Sequence, residues 1–119
     1  MNSNEKPYDL SMLLEMDAEE PGSLVKILQI FLESIPEVLN DFMNCFNNKD
    51  YTNLGSAAHK LKSSIDLLGL TEISALLKKI ELSAKNGEDT ENIPTWVNHV
   101  NITMNNVFGM LKEEIKERE

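Results

Sequence analysis

Residues 50–69 read Asp50-Tyr51-Thr52-Asn53-Leu54-Gly55-Ser56-Ala57-Ala58-His59-Lys60-Leu61-Lys62-Ser63-Ser64-Ile65-Asp66-Leu67-Leu68-Gly69. Leu54, Ala58, Leu61, Ile65 and Leu68 recur at steps of four, three, four and three. Residues three and four apart lie on one face of an α-helix, so this spacing is helical. Asp50 offers a carboxylate to the unpaired N–H groups of a first turn. Gly69 tolerates the left-handed conformation at which many helices stop. The stretch predicts a helix over about Tyr51–Leu68 with one apolar stripe, and a stripe of that kind has to be covered by other elements.

The flanking sequence provides them. Upstream, Leu24, Leu28, Phe31, Ile35, Val38 and Phe42 keep the same rhythm, and Ile27, Leu32, Leu39 and Met43 widen the stripe. This predicts a helix over about Pro21–Asn47. Pro21 suits a first turn, where its missing N–H has no partner to lose. Asp17, Glu19 and Glu20 before it complement the positive end of the helix dipole. Pro36 removes one hydrogen bond inside the run, which predicts a kink; the apolar phase continues across it, which argues against a break. Downstream, Thr71 reads as the cap of a helix over about Glu72–Asn86, with Ile73, Leu76, Leu77, Ile80 and Ala84 inward and Gly87 closing it. Ile93, Val97, Val100, Met104, Val107 and Leu111 place a last helix at about Pro94–Lys116. A short first helix fits Asp9–Met16, with Leu10, Leu13 and Leu14 on one side. No segment alternates with period two. The expected fold is all-α: an antiparallel four-helix bundle with a short additional N-terminal helix, forming one domain over residues 1–119.

The chain carries 20 acidic and 11 basic side chains, a net charge of −9. Nucleic acid and anionic membranes recruit Lys and Arg, so both are excluded as expected partners. No run approaches the ~18 apolar residues of a membrane span, and Met1–Leu10 lacks the apolar region of a signal peptide. Cys45 has no partner for an internal disulfide, and no Cys/His spacing points to zinc. A free-standing cytoplasmic monomer without metal or cofactor is the expectation. The acid is uneven. Residues 1–49 have a net charge of −6 and residues 88–119 of −4, whereas residues 50–87 stand at +1. An anion is least repelled in the middle segment.

That segment holds His59, which lies off the apolar stripe. Its helical neighbours are Gly55, Ser56, Lys62, Ser63 and Asp66. Glycine inside a helix costs about 1 kcal/mol relative to alanine, so this small-residue lane is a poor choice for stability alone. It leaves an imidazole accessible and lets another surface come close. Imidazole titrates near pH ~6.5, so a neutral nucleophilic nitrogen is available at neutral pH. A phosphoryl group on that nitrogen would bring about two negative charges, and Lys62, one turn on, offers a cation to offset them. There is no Gly-rich phosphate loop, so phosphoryl transfer would need a second protein. His99 reads as plain surface and Cys45 as half-buried packing.

The segment His59-Lys60-Leu61-Lys62-Ser63-Ser64-Ile65-Asp66-Leu67-Leu68-Gly69-Leu70 resembles the signature of histidine-containing phosphotransfer (HPt) domains of bacterial two-component phosphorelays. His59, Leu61, Lys62, Ser64, Leu68 and Gly69 match it, and Ala58 before the histidine is typical. Phe31-Leu32-Glu33-Ser34-Ile35-Pro36-Glu37, Asp50 and the Leu77–Glu81 stretch extend the resemblance over most of the chain. Ser63 departs from it, standing where the family usually has glycine.

The resemblance implies a phosphorelay intermediate with His59 as phosphoryl carrier and Lys62 as the neutralising cation. Glu81 either hydrogen-bonds the imidazole and fixes its tautomer or pairs with Lys78 or Lys85. Gly55, Ser56, Ser63 and Asp66 would form the floor on which a partner docks. The implied partners are response-regulator receiver domains, a hybrid histidine kinase, or both. The chain would not be an enzyme with its own nucleotide site, and the magnesium such transfers use is expected on the receiver. The alternative is a helical interaction module that binds receivers or other signalling partners without being phosphorylated.

Overall fold

The structure, a computed structural model, describes residues 6–119. Five helices appear in chain order: α1 (Ser11–Glu19), α2 (Ser23–Asn47), α3 (Tyr51–Ile65), α4 (Thr71–Asn86) and α5 (Ile93–Arg118). Short 3-10 turns, Asp66–Leu68 and Thr90–Asn92, follow α3 and precede α5. Helices α2 to α5 pack as a ring in which each touches the next and α5 returns to α2, while α1 lies against α2 and the Asp66–Leu68 turn. Short connections between neighbours make the bundle antiparallel, as the stripes predict. No strand occurs among the described residues.

The predicted stripes form the core. On α3, Leu54, Ala58, Leu61 and Ile65 are fully buried, as is Leu68 in the turn that follows. Ile93, Val97, Val100, Met104, Val107 and Leu111 are equally buried on α5. Each such Leu, Ile, Val or Met side chain contributes about 1.5–3 kcal/mol on leaving water. On α2 the centre of the stripe is Leu24, Leu28, Ile35, Leu39 and Phe42. That helix runs unbroken through Pro36.

The ends depart from the sequence reading in instructive ways. Helix α1 begins two residues later than expected and continues to Glu19, which leaves Leu14 exposed and only Leu13 of α1 buried. Pro21 does not open α2. Gly22 precedes that helix in the left-handed region at φ 94°, and the Asp17 carboxylate of α1 accepts from the Gly22 and Leu24 N–H groups at 3.0 and 3.1 Å. The cap of α2 thus comes from the preceding helix. Thr71 is the first residue of α4 and makes no cap; Leu70 stands at that position without a side-chain bond. Asp50 caps α3 as predicted, accepting from the Asn53 N–H at 3.2 Å.

Helix α3 tightens into a 3-10 turn at Asp66, a common way for a helix to end. Gly69 follows at φ 63°, and the Leu68 carbonyl accepts the Asp9 N–H at 2.9 Å. The N-terminal segment is thereby tied to the end of the histidine helix. Tyr8 is buried, and its hydroxyl donates to Glu114 Oε1 of α5 at 2.9 Å. Lys6 Nζ reaches the same oxygen at 2.5 Å, and Arg118 holds Glu114 Oε2 at 3.0 Å.

Burial pushes the Glu114 carboxyl up, but the hydrogen bonds from Lys6 and Tyr8 and the charges of Lys6 and Arg118 outweigh it, so the net displacement is downward. Burial, and then the bond to Glu114, push the Tyr8 phenol up to about 12. A carboxyl lowered in the folded state stabilises above its unfolded value, and that contribution is lost as pH falls through the folded value. Resistance to urea is therefore expected to weaken below about pH 5. The Glu114→Gln variant should be roughly 1–2 kcal/mol less stable at neutral pH and flatter across the acid range. An unchanged acid limb in the variant would contradict this.

Candidate functional site

Helix α3 presents His59 with its side chain 65% exposed, facing a carboxylate on α4 that is nearly sealed from water. His59 Nδ1 lies 3.4 Å from Glu81 Oε1 and 3.3 Å from Oε2. The Glu81 side chain is only 5% exposed. A carboxylate in that position needs partners, and it has them: Lys85 Nζ at 2.9 Å and Lys78 Nζ at 3.8 Å on its own helix. Glu81 thus faces the imidazole and pairs with both lysines at once. The Lys85 hydrogen bond draws its carboxyl below the ordinary range against the opposing effect of burial, with the imidazole adding to the lowering.

Gly55 is where the structure corrects the sequence reading. It is buried, not part of an exposed floor. A Cβ there would sit 3.4 Å from Lys85 Cγ, 3.5 Å from the Glu81 carbonyl oxygen and 3.7 Å from Ala84 Cβ. These are ordinary van der Waals distances, so Gly55 lies in contact with α4 and the Lys85 stem, and an alanine would fit there. At ~100° per residue, Gly55 and Lys62 fall on the core-ward edge of the histidine lane, while Ser56 and Ser63 fall on the outer edge. Accordingly Ser56 and Ser63 are exposed and Lys62 is half-buried.

Lys62 Nζ stands 3.3 Å from Asp66 Oδ2. The other Asp66 oxygen accepts from Ser74 Oγ of α4 at 2.7 Å. Ser74 escaped the sequence reading, since no periodicity links it to a residue eight positions earlier. The buried Glu114 and the packing of Asp9 on Gly69 escaped it for the same reason. Among the other residues singled out, His99 makes a surface pairing with Glu72 at 3.4 Å. Cys45 is half-buried with its thiol pushed up, by burial first and then by Asp50 and Asp41. No helix of the described residues is long and apolar enough to cross a membrane.

The backbone is similar to solved HPt structures. It superposes on histidine-containing phosphotransfer protein B from Pseudomonas aeruginosa with a TM-score of 0.82 at 19% identity, covering 99% of this chain and 100% of the other. For the HPT domain of a hybrid histidine kinase from Shewanella the TM-score is 0.76 at 17% identity, over 93% and 95% of the two chains. In sequence, 71 residues are 30% identical to the phosphorelay intermediate protein YPD1 of Candida albicans, covering 60% of this chain. The match takes in 39% of that relative's length. The model of the Hpt domain family matches residues 26–116, which include α3, α4 and the His59 site. The chain belongs to the Hpt domain family.

Proposed function

We propose that the chain is a phosphorelay intermediate that takes a phosphoryl group from the aspartyl phosphate of one receiver domain onto His59 and passes it to another. The observation that carries this reading is an exposed imidazole whose Nδ1 faces the buried Glu81 carboxylate. A carboxylate only accepts, so Nδ1 keeps its proton toward Glu81 and Nε2 keeps a free lone pair. That lone pair attacks phosphorus. The P–O bond to the receiver's aspartate breaks, and the aspartate leaves as a carboxylate with the bonding electrons. The ring retains its Nδ1 proton and gains positive charge, which the Glu81 carboxylate offsets. The reverse step delivers the group to the next receiver.

Lys62 serves the phosphoryl oxygens, and Ser56 and Ser63 on the outer edge of the lane form the face a receiver meets. The absence of a phosphate loop from the sequence supports a carrier without its own nucleotide site, with magnesium held by the receiver. A receiver or the receiver part of a hybrid kinase is the partner class. Incubation with a labelled phosphoreceiver tests the reading. The expected product is a phosphoryl group on this chain that is labile to acid and stable to alkali. A chain that binds the receiver yet never takes label would be an interaction module instead.

Glu81→Gln probes the orienting role. A charge-assisted hydrogen bond contributes about 1.5–3 kcal/mol. At 3.3–3.4 Å the lower end applies, so transfer should slow roughly tenfold. The imidazole ¹⁵N signals should move toward a mixture of tautomers. A transfer rate equal to wild type would reduce Glu81 to a structural partner of Lys85.

A further inference from the structure

We infer that Asp66 is a positioning residue that holds Lys62 while His59 is bare and releases it when the phosphoryl group arrives. The inference rests on the carrier reading above. Lys62 stands one turn past His59 on α3, and Asp66 stands one turn past Lys62. The single ammonium therefore has an anion on one side at all times and an anion on the other only after transfer.

Asp66 is not a freely moving surface acid. Its Oδ1 accepts from Ser74 Oγ at 2.7 Å, so the first turn of the adjacent α4 holds the carboxylate. Its backbone carbonyl accepts the Gly69 N–H at 3.2 Å, closing the 3-10 turn. Its Oδ2 takes the cation, with Lys62 Nζ at 3.3 Å. The Lys62 side chain is 32% exposed and the Asp66 side chain 48%, so the pair is partly screened and weak. The lysine precedes the acid, which is the poorer order for an i,i+4 pair. A phosphoryl group offers about twice the charge and three acceptor oxygens, so it wins the ammonium. Four flexible methylenes allow the swing without a change in backbone.

Asp66 thus lowers the share of phosphoryl held on His59, because part of the attraction of Lys62 goes into leaving the carboxylate. A carrier that must both accept and release gains from that restraint. The test equilibrates the chain with a phosphorylated receiver and reads the ratio of phosphohistidine to aspartyl phosphate. That ratio does not depend on how fast the partners dock. Asp66→Asn should raise it about twofold, the scale of an exposed i,i+4 pair. In a Lys62→Met background the same substitution should leave it unchanged. The side-chain ¹⁵N signal of Lys62 should also shift when wild type is phosphorylated.

An unchanged ratio in Asp66→Asn, with label still taken up, would overturn the role of Asp66 and leave the carrier reading standing. An equal rise without Lys62 would overturn it too, by making Asp66 a direct repeller of the phosphoryl group. A chain that takes no label would overturn both readings together.

Discussion

His59→Gln is expected to abolish phosphoryl uptake from a labelled phosphoreceiver while the melting temperature stays within about 3 °C of wild type. The chemical half of this expectation is categorical. A carboxamide nitrogen has its lone pair delocalised into the carbonyl and does not attack phosphorus, so no residual rate is expected from Gln at this position. The structural half follows from exposure. The His59 side chain is 65% exposed and contributes nothing to the core. Its loss does not orphan Glu81, which keeps Lys85 at 2.9 Å and Lys78 at 3.8 Å. Substitutions of this kind usually change stability by no more than about 0.5 kcal/mol. Circular dichroism melts and transfer assays on the same preparation separate the two effects. Label that persists in the folded variant would place the phosphoryl group elsewhere and remove the basis of the proposed function.

Gly69→Ala is expected to have the largest effect on stability away from the apolar core. The residue sits at φ 63°, a conformation that costs an L side chain about 1–2 kcal/mol. Space adds to that cost. A Cβ would lie 2.7 Å from the Asp9 carbonyl oxygen, 2.8 Å from its Cβ and 3.0 Å from its nitrogen. Two of those atoms are backbone, so neither can rotate away. Relief requires Asp9 to leave, which breaks its bond to the Leu68 carbonyl and loosens Tyr8 and Leu10 beside it. Strain and overpacking together come to roughly 2–4 kcal/mol, or a melting temperature lower by about 10 °C. Phosphoryl uptake at low temperature should survive, because His59 lies ten residues away on the intact part of α3. A variant that melts with wild type would show that the N-terminal segment yields without cost.

Gly69 also shows how far the sequence could be read. It stands where a helix stops, and that much is local chemistry available to any reader of residues 50–69. That the start of the chain lies on top of it is a long-range fact with no periodic signal. The same division runs through the molecule. The stripes of α3 and α5 were legible residue by residue, because burial on one helix face imposes a 3.6-residue rhythm. Pro21 and Thr71 lie off the sequence reading because Gly22 and Leu70 stand at the capping positions, and the Asp17 carboxylate that serves α2 reaches it only through packing. At the site, His59 and Lys62 were legible from spacing and resemblance. Gly55 lies on the core-ward edge of the histidine lane, and its burial against α4 depends on where the neighbouring helix packs, which spacing on α3 does not give. The pairing of His59 with Glu81 was legible only as one of two alternatives, and the structure gives Glu81 both sets of partners.

The clasp at Glu114 has a kinetic meaning. Tyr8 and Glu114 are 106 positions apart, so their hydrogen bond closes almost the whole chain into a loop. Contacts of such separation are slow to reward the entropy they cost, so the expectation is that this one forms after the helices have found one another. Interactions made after the transition state leave the folding rate alone and raise the barrier to unfolding. The Glu114→Gln variant should show this as a faster unfolding limb beside an unchanged refolding limb. On this account a carboxylate 55 positions from His59 in sequence lengthens the life of each folded copy, an effect separate from the chemistry of the imidazole.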